Sequence, residues 1–412
     1  MSDESKTQST EPETPLGEVR WFQVPPKIYF ENDSIQYMEK MKGISRAFFV
    51  TDKTIRSLGY VTKVLFYLRR RQKYCHSEIF SKVDTHPDLS VVMEGVTEAK
   101  RFNADVIVAL GGGSVIDAAK MIWLYLEHPE LIGEKLSNFT ERVTADNVDK
   151  YPVGEKIQFV AIPTTSGTGS EMSNTLYLTD LKNGKDVYSI LSFDLTPNVA
   201  ILDAQMAVSQ SEKLVADSGV HVLSNAIESL VARNSSDYTV GQAIQVIELV
   251  FGNLELSIGG DRVGREKMHN AASVCGMAVT NSHLGLCHAL AVKLGLVLNF
   301  HRGRLHGVLL PYVMRFNERF EGVSNIYARA GYSSCITETK SSAATIKAVE
   351  DLLSRIGIPR TLKECGIDEK HFIAIVDDLA ASTLTHGSAL SNPQPFTKDD
   401  LKALLLTAYH GK

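Results

Sequence analysis

The chain has 412 residues, of which 44% are hydrophobic and 22% are charged. At roughly 150 residues per domain, this length predicts two or three domains, and the composition is typical of a packed globular protein. The formal net charge of −5 gives no reason to expect nucleic acid as a partner. No apolar run reaches the roughly 18 residues of a membrane span, so we expect no membrane partner.

Residues 1–20 are expected to form a disordered tail, because the stretch is polar and acidic. It lacks the basic start and the apolar segment of a secretory signal. The five cysteines are an odd number without a CxxC pair, which predicts neither a disulfide framework nor a cysteine zinc site. We therefore expect a reducing, cytoplasmic location.

Strand and helix patterns alternate from residue 46 onward, as in an α/β domain. The predicted strands cover 46–52, 104–110, 157–165 and 199–204, and a polar strand is predicted to lead into VDTHPD at 83–88. The predicted helices cover 61–70 and 88–102. ADVIVAL, at 104–110, is uniformly apolar, as expected for a strand buried on both faces. After about residue 205 helical patterns dominate, with predicted breaks at Gly259-Gly260, Gly303, Gly307, Pro311 and Pro359.

Two glycine-rich loops follow predicted strands. Gly111, Gly112, Gly113 and Ser114 separate a strand from a helix, where free backbone N–H groups and the helix dipole favour an anion such as a pyrophosphate. Such a turn can also serve chain conformation alone. TTSGTGSE, at 164–171, is a second loop of this kind at the carboxyl end of a strand, where α/β sheets bind ligands.

Asp52 ends the strand predicted at 46–52. A carboxylate there can accept hydrogen bonds from an adenosine ribose and repel a 2′-phosphate, which favours NAD over NADP. Its place ahead of the glycine loop differs from the usual fingerprint. A strand-end cap is the alternative interpretation.

His221 and Asn225 lie four residues apart in SGVHVLSNAIES, at 218–229, which has a helical pattern. Side chains at this spacing project from one face of a helix, as when one helix supplies two ligands of a metal. Asparagine, however, is a poor ligand for a transition metal.

Four motifs, GGGSVIDAAK, PTTSGTGSE, LTPNVAILDA and CHALAVKLG, follow one another along the chain. In this order and spacing they resemble the iron-dependent (group III) alcohol dehydrogenases, and most of all the alcohol dehydrogenase half of bifunctional acetaldehyde/alcohol dehydrogenases. The resemblance runs from WFQVPPKIYF at 21–30 to the segment at 391–411. It implies an α/β, Rossmann-like NAD-binding domain over 21–204, an all-helical domain over 205–412 in a dehydroquinate synthase-like architecture, and a cleft between them for NAD(P) and a divalent metal.

The resemblance also implies cofactor residues. Gly111 to Ser114 would bind the pyrophosphate, Asp52 the ribose, and Asp117 would lie beside the nicotinamide. The remaining cofactor positions are Thr164, Thr165, Thr168 and Lys185, the last with a local spacing that is off by one.

The family holds its metal with an aspartate and a histidine at i and i+4 of one helix and with two later histidines, the last in a Pro-His-Gly turn. By the resemblance, His221 stands in the aspartate position, Asn225 in the first histidine position, and His288 is retained. An ungapped count back from PYVMRFN, at 311–317, puts Arg302 at the last position; an alignment with a four-residue insertion puts His306 there. Val292 replaces a further family histidine.

The ungapped count predicts no metal, because a guanidinium a few ångströms from a divalent ion costs several kcal/mol. The expected catalytic residues are then His221, Asn225, His288 and Arg302, with the arginine stabilising an alkoxide or binding an anionic substrate. A replacement zinc site formed by His221, His283, His288 and His306 is an alternative, and His301 is a further histidine whose part in metal binding the sequence leaves open.

Three functions follow as hypotheses. The first is a metal-independent NAD-linked oxidoreductase that interconverts a small aldehyde or ketone and its alcohol. The second is a metal-dependent alcohol dehydrogenase with rearranged histidine ligands, and the third is an NAD-binding, non-catalytic scaffold or regulatory subunit. We expect a small-molecule substrate and a homodimer.

Overall fold

The computed structural model describes residues 21–85, 87–139, 151–180 and 186–411. The expected tail at 1–20 and the cofactor residue Lys185 lie outside these ranges. The predicted fold class is confirmed, because strands and helices alternate in the first half and the second half is helical.

Six parallel strands form the central sheet in the order β1-β8-β5-β4-β2-β3. Their bounds are β1 Lys27–Phe30, β2 Arg46–Val50, β3 His76–Phe80, β4 Val106–Gly111, β5 Gln158–Pro163 and β8 Val199–Leu202. An antiparallel hairpin is formed by β6 Thr175–Asp180 and β7 Asp186–Leu191. The sequence patterns did not predict β1 or this hairpin. Every residue of β4 is buried, as the uniform apolar run requires.

The described residues of the first half of the chain form five α-helices: α1 Tyr37–Lys40, α2 Lys53–Ser57, α3 Tyr60–Arg69, α4 Leu89–Phe102 and α5 Gly113–Glu127. Helices α4 and α5 pack on one face of the sheet, and α1 and α3 pack on the other. The sheet is therefore the middle layer of three, with a hydrophobic core on each side.

Ten helices follow the last strand: α6 Glu212–Val231, α7 Asp237–Ile258, α8 Arg262–Ser282, α9 Leu286–Val297, α10 Arg302–Asn317, α11 Val323–Ser333, α12 Ser342–Arg355, α13 Glu369–Thr383, α14 Gly387–Leu390 and α15 Lys398–His410. They surround a single core. In the described part of the chain, no helix is long and apolar enough to cross a membrane.

Three of the predicted helix breaks were wrong, because Gly303, Gly307 and Pro311 all lie inside α10. A Cβ atom on Gly303 would lie 2.2 Å from the carbonyl oxygen of Asp217, and one on Gly307 would lie 2.7 Å from a methyl of Val220. These glycines are needed for the close approach of α10 to α6 and do not end a helix. The break at Gly259-Gly260 is confirmed.

The loop 164–171, which follows β5, packs against helices of the second half of the chain. A Cβ atom on Gly167 would lie 3.1 Å from the side chain of Ser218, on α6, and one on Gly169 would lie 2.6 Å from the Cα atom of Gly276, on α8. This backbone-to-backbone approach brings the carboxyl end of the sheet against the helical half. We call the boundary between the two halves, where the candidate site lies, the cleft.

Candidate functional site

The carboxyl ends of three neighbouring strands carry predicted cofactor residues. In the register, Val50 pairs with Ala109 and Gly111 pairs with Pro163, so Asp52, Gly111 and Thr164 lie along one edge of the sheet. The Thr51 hydroxyl donates to the Leu110 carbonyl at 2.7 Å. This side-chain hydrogen bond holds the edge together in addition to the backbone hydrogen bonds of the sheet.

The sheet has its topological switch point between β2 and β4. The chain leaves β2 through α3 to reach β3 on one side, and leaves β4 through α5 to reach β5 on the other. The two connections diverge above the shared edge and leave a crevice there, which is where open α/β sheets bind nucleotides. Asp52 and Gly112 border this crevice.

The glycine loop and the threonine loop pack against each other. A Cβ atom on Gly112 would lie 3.3 Å from the Thr165 side chain, and one on Gly113 would lie 2.7 Å from Thr168. A side chain at Gly113 would therefore clash with Thr168, whereas one at Gly112 would make a tight contact with Thr165. Helix α5 has no side-chain cap among the described residues, so its first N–H groups remain available to an anion.

The Ser114 side chain does not cap α5. Its hydroxyl donates instead to the Thr85 carbonyl at 2.7 Å. Asp52 does act as a cap, since its carboxylate accepts the Ile55 N–H at 2.8 Å at the start of α2. The alternative interpretation of Asp52, as a cap at the end of a strand, is therefore confirmed. Its side chain also borders the crevice.

Asp117 lies in the first turns of α5 and is buried. Burial raises the pKa of its carboxyl, against the opposing charge of the buried Lys120. The Lys120 ammonium donates to the carbonyl oxygens of Ser173 and Thr175. The Tyr177 N–H donates to Asp117 at 3.2 Å. Asp117 thus connects the glycine loop to the β6–β7 hairpin.

Three imidazoles from three helices converge in the cleft: His221 from α6, His288 from α9 and His306 from α10. One ring nitrogen from each imidazole lies within 4.8 Å of those of the other two. The ring centroids of His221 and His306 are 4.2 Å apart, and those of His288 and His306 are 5.2 Å apart. We call these three residues the histidine cluster.

Hydrogen bonds orient two of these rings. His306 Nδ1 donates to the Arg302 carbonyl at 2.8 Å, and His288 Nε2 lies 3.1 Å from the Tyr177 hydroxyl. The inner nitrogens, His306 Nε2 and His288 Nδ1, face each other at 3.2 Å. A ring that contacts protein oxygen with its outer nitrogen and points its inner nitrogen at a shared centre has the orientation of a metal-ligating histidine.

His221 and Asn225 contribute unpartnered atoms. Within the described ranges, neither His221 Nε2 nor Asn225 Oδ1 has a hydrogen-bond partner. Burial is the main cause that lowers the pKa of all three cluster histidines, for His306 to about 4. The rings are therefore neutral at physiological pH, and each offers a lone pair.

Arg302 and His306 lie one turn apart on α10, and both influence the cluster. The Arg302 charge contributes to the low pKa values of His221, His288 and His306, and its own charge interacts with Asp117 and Tyr177. The two alignments, one with Arg302 and the other with His306 at the last ligand position, therefore name two residues that both influence the cluster. The imidazole that completes the cluster is His306, as the alignment with an insertion requires.

The two remaining candidate histidines are not part of the cluster that the described residues form. His301 precedes α10, and its Nδ1 lies 3.4 Å from Asp217. His283 ends α8 with a φ of 63°. The four-histidine zinc site considered from the sequence is thus reduced to three of its members.

Two residues of the site were missed from the sequence. Tyr177 comes from the unpredicted hairpin and had no sequence signal. Glu228 lies seven residues after His221 on α6, a spacing that keeps it on the same face. Its buried carboxylate accepts the N–H groups of Cys287 at 2.7 Å and His288 at 3.1 Å, so it fixes the start of α9 and with it His288.

Comparisons with known proteins agree with this architecture. The model of the iron-containing alcohol dehydrogenase family matches residues 25–204. The model of the C-terminal domain of Fe-containing alcohol dehydrogenases matches residues 215–409. The chain belongs to the iron-containing alcohol dehydrogenase family. The resemblance to this family that was inferred from the motifs is confirmed.

Individual relatives cover nearly all of the chain. An aldehyde-alcohol dehydrogenase of Streptococcus pneumoniae is 36% identical over 95% of this chain and 46% of its own length, and the NADPH-dependent butanol dehydrogenase of Clostridium saccharobutylicum is 33% identical over 95% and 98%. The solved iron-containing alcohol dehydrogenase of Thermococcus thioreducens is 29% identical, covers 95% of this chain and 100% of its own, and has a TM-score of 0.86. The chain spans about half the length of the first curated relatives it matches.

Proposed function

We propose that the protein is an NAD(H)-linked oxidoreductase that interconverts a small aldehyde or ketone and its alcohol in the cleft. One observation carries the proposal: Tyr177 links the glycine loop to the histidine cluster. Its N–H donates to Asp117, on the helix that the loop begins, and its hydroxyl contacts His288. A cofactor on the loop and a substrate at the cluster would therefore lie next to each other, as hydride transfer requires.

The cofactor would lie with its pyrophosphate on the start of α5, its adenosine ribose at Asp52 and its nicotinamide near Asp117. The free N–H groups of Gly113 and Ser114 and the switch-point crevice support this orientation. Thr164, Thr165 and Thr168 would line the opposite wall. One relative is named for its use of NADPH, so membership of the family does not decide between the two cofactors. The choice of NAD over NADP would depend on the charge of Asp52.

A divalent metal fits the histidine cluster better than the ungapped count suggested. The distance of 3.2 Å between His306 Nε2 and His288 Nδ1 is close to the roughly 3.3 Å edge of a tetrahedron with metal–nitrogen bonds of about 2.0 Å. Three neutral imidazoles with an open fourth position are a donor set for zinc. His221, His288 and His306 would hold the ion, which would supply Lewis-acid polarisation of the substrate oxygen.

Metal-independent catalysis is the second candidate, and Arg302 is the observation that favours it. Its positive charge is one of the causes that lower the pKa values of all three imidazoles, so it would oppose a cation there and could itself stabilise an alkoxide. Burial raises the pKa of Tyr177 to about 12, so its hydroxyl stays protonated at neutral pH. In either case Tyr177 would be the group that donates a proton at the His288 side of the cleft.

The proposed setting is a cytoplasmic homodimer. Cysteine usage supports the location, since all five thiols are free and none is in a metal-binding pair. The dimer is carried over from the sequence-based expectation, and sedimentation analysis would test it.

The proposal is tested by NADH oxidation, followed by absorbance, with a panel of short aldehydes and ketones. We expect turnover that is abolished in His288→Gln, while the NADH affinity, measured by fluorescence, stays within about 3-fold of wild type, because His288 lies away from the pyrophosphate loop. NADH binding without turnover of any substrate would favour the non-catalytic scaffold. Absence of NADH binding would overturn the proposal altogether.

A further inference from the structure

One side of α8 carries buried polar side chains at helical spacing. His269, Ser273, Gly276 and Thr280 follow one another at steps of four, three and four residues, which places all four on a single side of the helix. All four are buried, and we call them the polar face of α8. Because buried polar side chains are hydrogen-bonded in folded proteins, this face must lie against a polar neighbour.

The neighbour is the loop 164–171 together with the residue that follows it. Three hydrogen bonds join the two: His269 Nδ1 with the Ser166 hydroxyl at 3.0 Å, Ser273 Oγ with the Glu171 carboxylate at 2.6 Å, and Thr280 Oγ1 with the Met172 carbonyl at 3.2 Å. Gly276 lies between the last two donors, and a Cβ atom there would lie 2.6 Å from the Gly169 carbonyl oxygen. The hydrogen bonds and this backbone contact hold the loop along most of its length.

The same loop also contacts the glycine loop. The Thr164 N–H donates to the Gly111 carbonyl at 3.0 Å, and Thr168 is the side chain that an added Cβ on Gly113 would meet at 2.7 Å. Within the described ranges, the buried Thr164 hydroxyl has no hydrogen-bond partner, which leaves it available to a ligand. The position of these threonines relative to the start of α5 is therefore fixed from α8, through the loop.

We propose that the polar face of α8 is the positioning element of the cofactor site, so that NADH affinity depends on side chains that act on the cofactor only through the loop. The inference rests on the proposed NAD(H)-linked function, in which Thr164, Thr165 and Thr168 line one wall of the site. With its anchors intact, the loop is already ordered when NADH arrives. Once an anchor is removed, binding must supply the ordering free energy, and the apparent affinity falls with the fraction of molecules in the competent conformation.

The experiment measures the dissociation constant of NADH by fluorescence titration in Thr280→Val, Ser273→Ala and the double variant. Valine has the shape of threonine without its hydroxyl, and alanine removes only the serine oxygen. The affinity should fall about 3-fold in each single variant and at least about 10-fold in the double variant, the scale set by one and two hydrogen bonds. Thr280→Ser, which keeps the hydroxyl, should bind NADH as wild type does.

Ser282→Ala is the matched control, because the Ser282 hydroxyl lies on the same helix but 2.7 Å from the Ser229 hydroxyl of α6, not on the loop. It should lower the urea midpoint about as much as the single test variants and leave NADH affinity unchanged, since each removes one buried hydrogen bond.

Unchanged NADH affinity in the double variant would overturn the role of α8 and leave the oxidoreductase proposal standing. An equal loss of affinity in Ser282→Ala would also overturn it, because any destabilisation of α8 would then have the same effect. If wild type binds neither NADH nor NADPH, the proposed function fails and the inference fails with it.

Discussion

At the scale of single residues, the cleft depends on two side chains of α10 that lie one turn apart. His306 completes the histidine cluster, and Arg302 brings a fixed charge to it. Helical spacing explains how one short segment supplies both, because residues four apart share a face. The three neutral imidazoles favour the binding of a metal ion, and the positive charge of Arg302 opposes it.

We expect zinc to bind the wild-type protein at about one ion per chain after loading and desalting, because the cluster offers three neutral imidazoles. His306→Gln should lose the ion, since it removes the imidazole that faces both partners. His301→Gln should keep it, because His301 contacts Asp217 outside the cluster. Mass spectrometry of the metal content gives the answer, and wild type without metal would leave the metal-independent candidate standing.

Asp52 caps α2 and is proposed to select NAD through its charge, and one substitution separates these two roles. Asp52→Asn keeps the helix cap, since asparagine caps as well as aspartate, but removes the charge. Wild type should therefore prefer NADH over NADPH by about 1–3 kcal/mol, the scale of like charges near a protein surface, and the variant should lose most of that preference. NADH and NADPH fluorescence titrations measure it.

Asp88→Asn is the control for that substitution, because Asp88 caps α4 in the same manner. It should not change the cofactor preference. Equal affinity of wild type for the two cofactors would remove Asp52 from the selective role and leave it as a helix cap.

At the scale of secondary structure elements, the position of α10 on α6 determines where His306 and His221 meet. Gly303 allows this approach, since its added Cβ would lie 2.2 Å from the Asp217 carbonyl. Gly303→Ala should therefore destabilise the protein by about 1–3 kcal/mol, as overpacking does. It should also weaken zinc binding, because the two helices must separate. Urea unfolding and metal titration are the measurements.

Gly252→Ala is the matched control for Gly303→Ala. Gly252 lies in α7 with nothing within 4 Å of its added Cβ, so alanine there should stabilise by about 0.5–1 kcal/mol through reduced chain entropy. Equal effects of the two substitutions would show that the close approach of α10 is not required.

At the scale of the whole molecule, the two halves meet where the loop 164–171 packs on α6 and α8. His269, on α8, is buried in this contact, and its Nδ1 lies 3.0 Å from the Ser166 hydroxyl. Burial lowers its pKa from 6.5 to about 4. The cluster histidines, whose pKa values are also lowered, lie in the same cleft, so protonation opposes the contact between the halves at several points.

Stability should therefore fall as the pH is lowered from about 6.5 to about 4. In this window the unfolded chain binds a proton at His269 and the folded protein does not, so the free energy of unfolding decreases by up to about 3 kcal/mol for a shift of this size. His269→Gln should reduce this dependence, whereas the same change at the exposed His371 should not. Urea unfolding at several pH values measures it, and identical slopes for all three proteins would contradict the assignment.

Sequence patterns were sufficient to predict the α/β and helical halves, the glycine loop and the family. These features follow from local patterns: a uniformly apolar strand such as 104–110, a glycine run before a helix, and motifs in a fixed order. Asp52, Gly112 and Thr164 were placed at one edge of the sheet because the carboxyl ends of parallel strands must share it.

The imidazoles that meet and the continuity of α10 through its glycines and proline depend on tertiary packing. Gly303, Gly307 and Pro311 have the local preferences of a helix break, but packing on α6 outweighs them. The sequence left the parts of His283, His301 and His306 in metal binding open, and which of them joins His221 and His288 depends on how α9 and α10 pack on α6. Local pattern cannot encode such contacts, because they form only when distant helices bury their shared face.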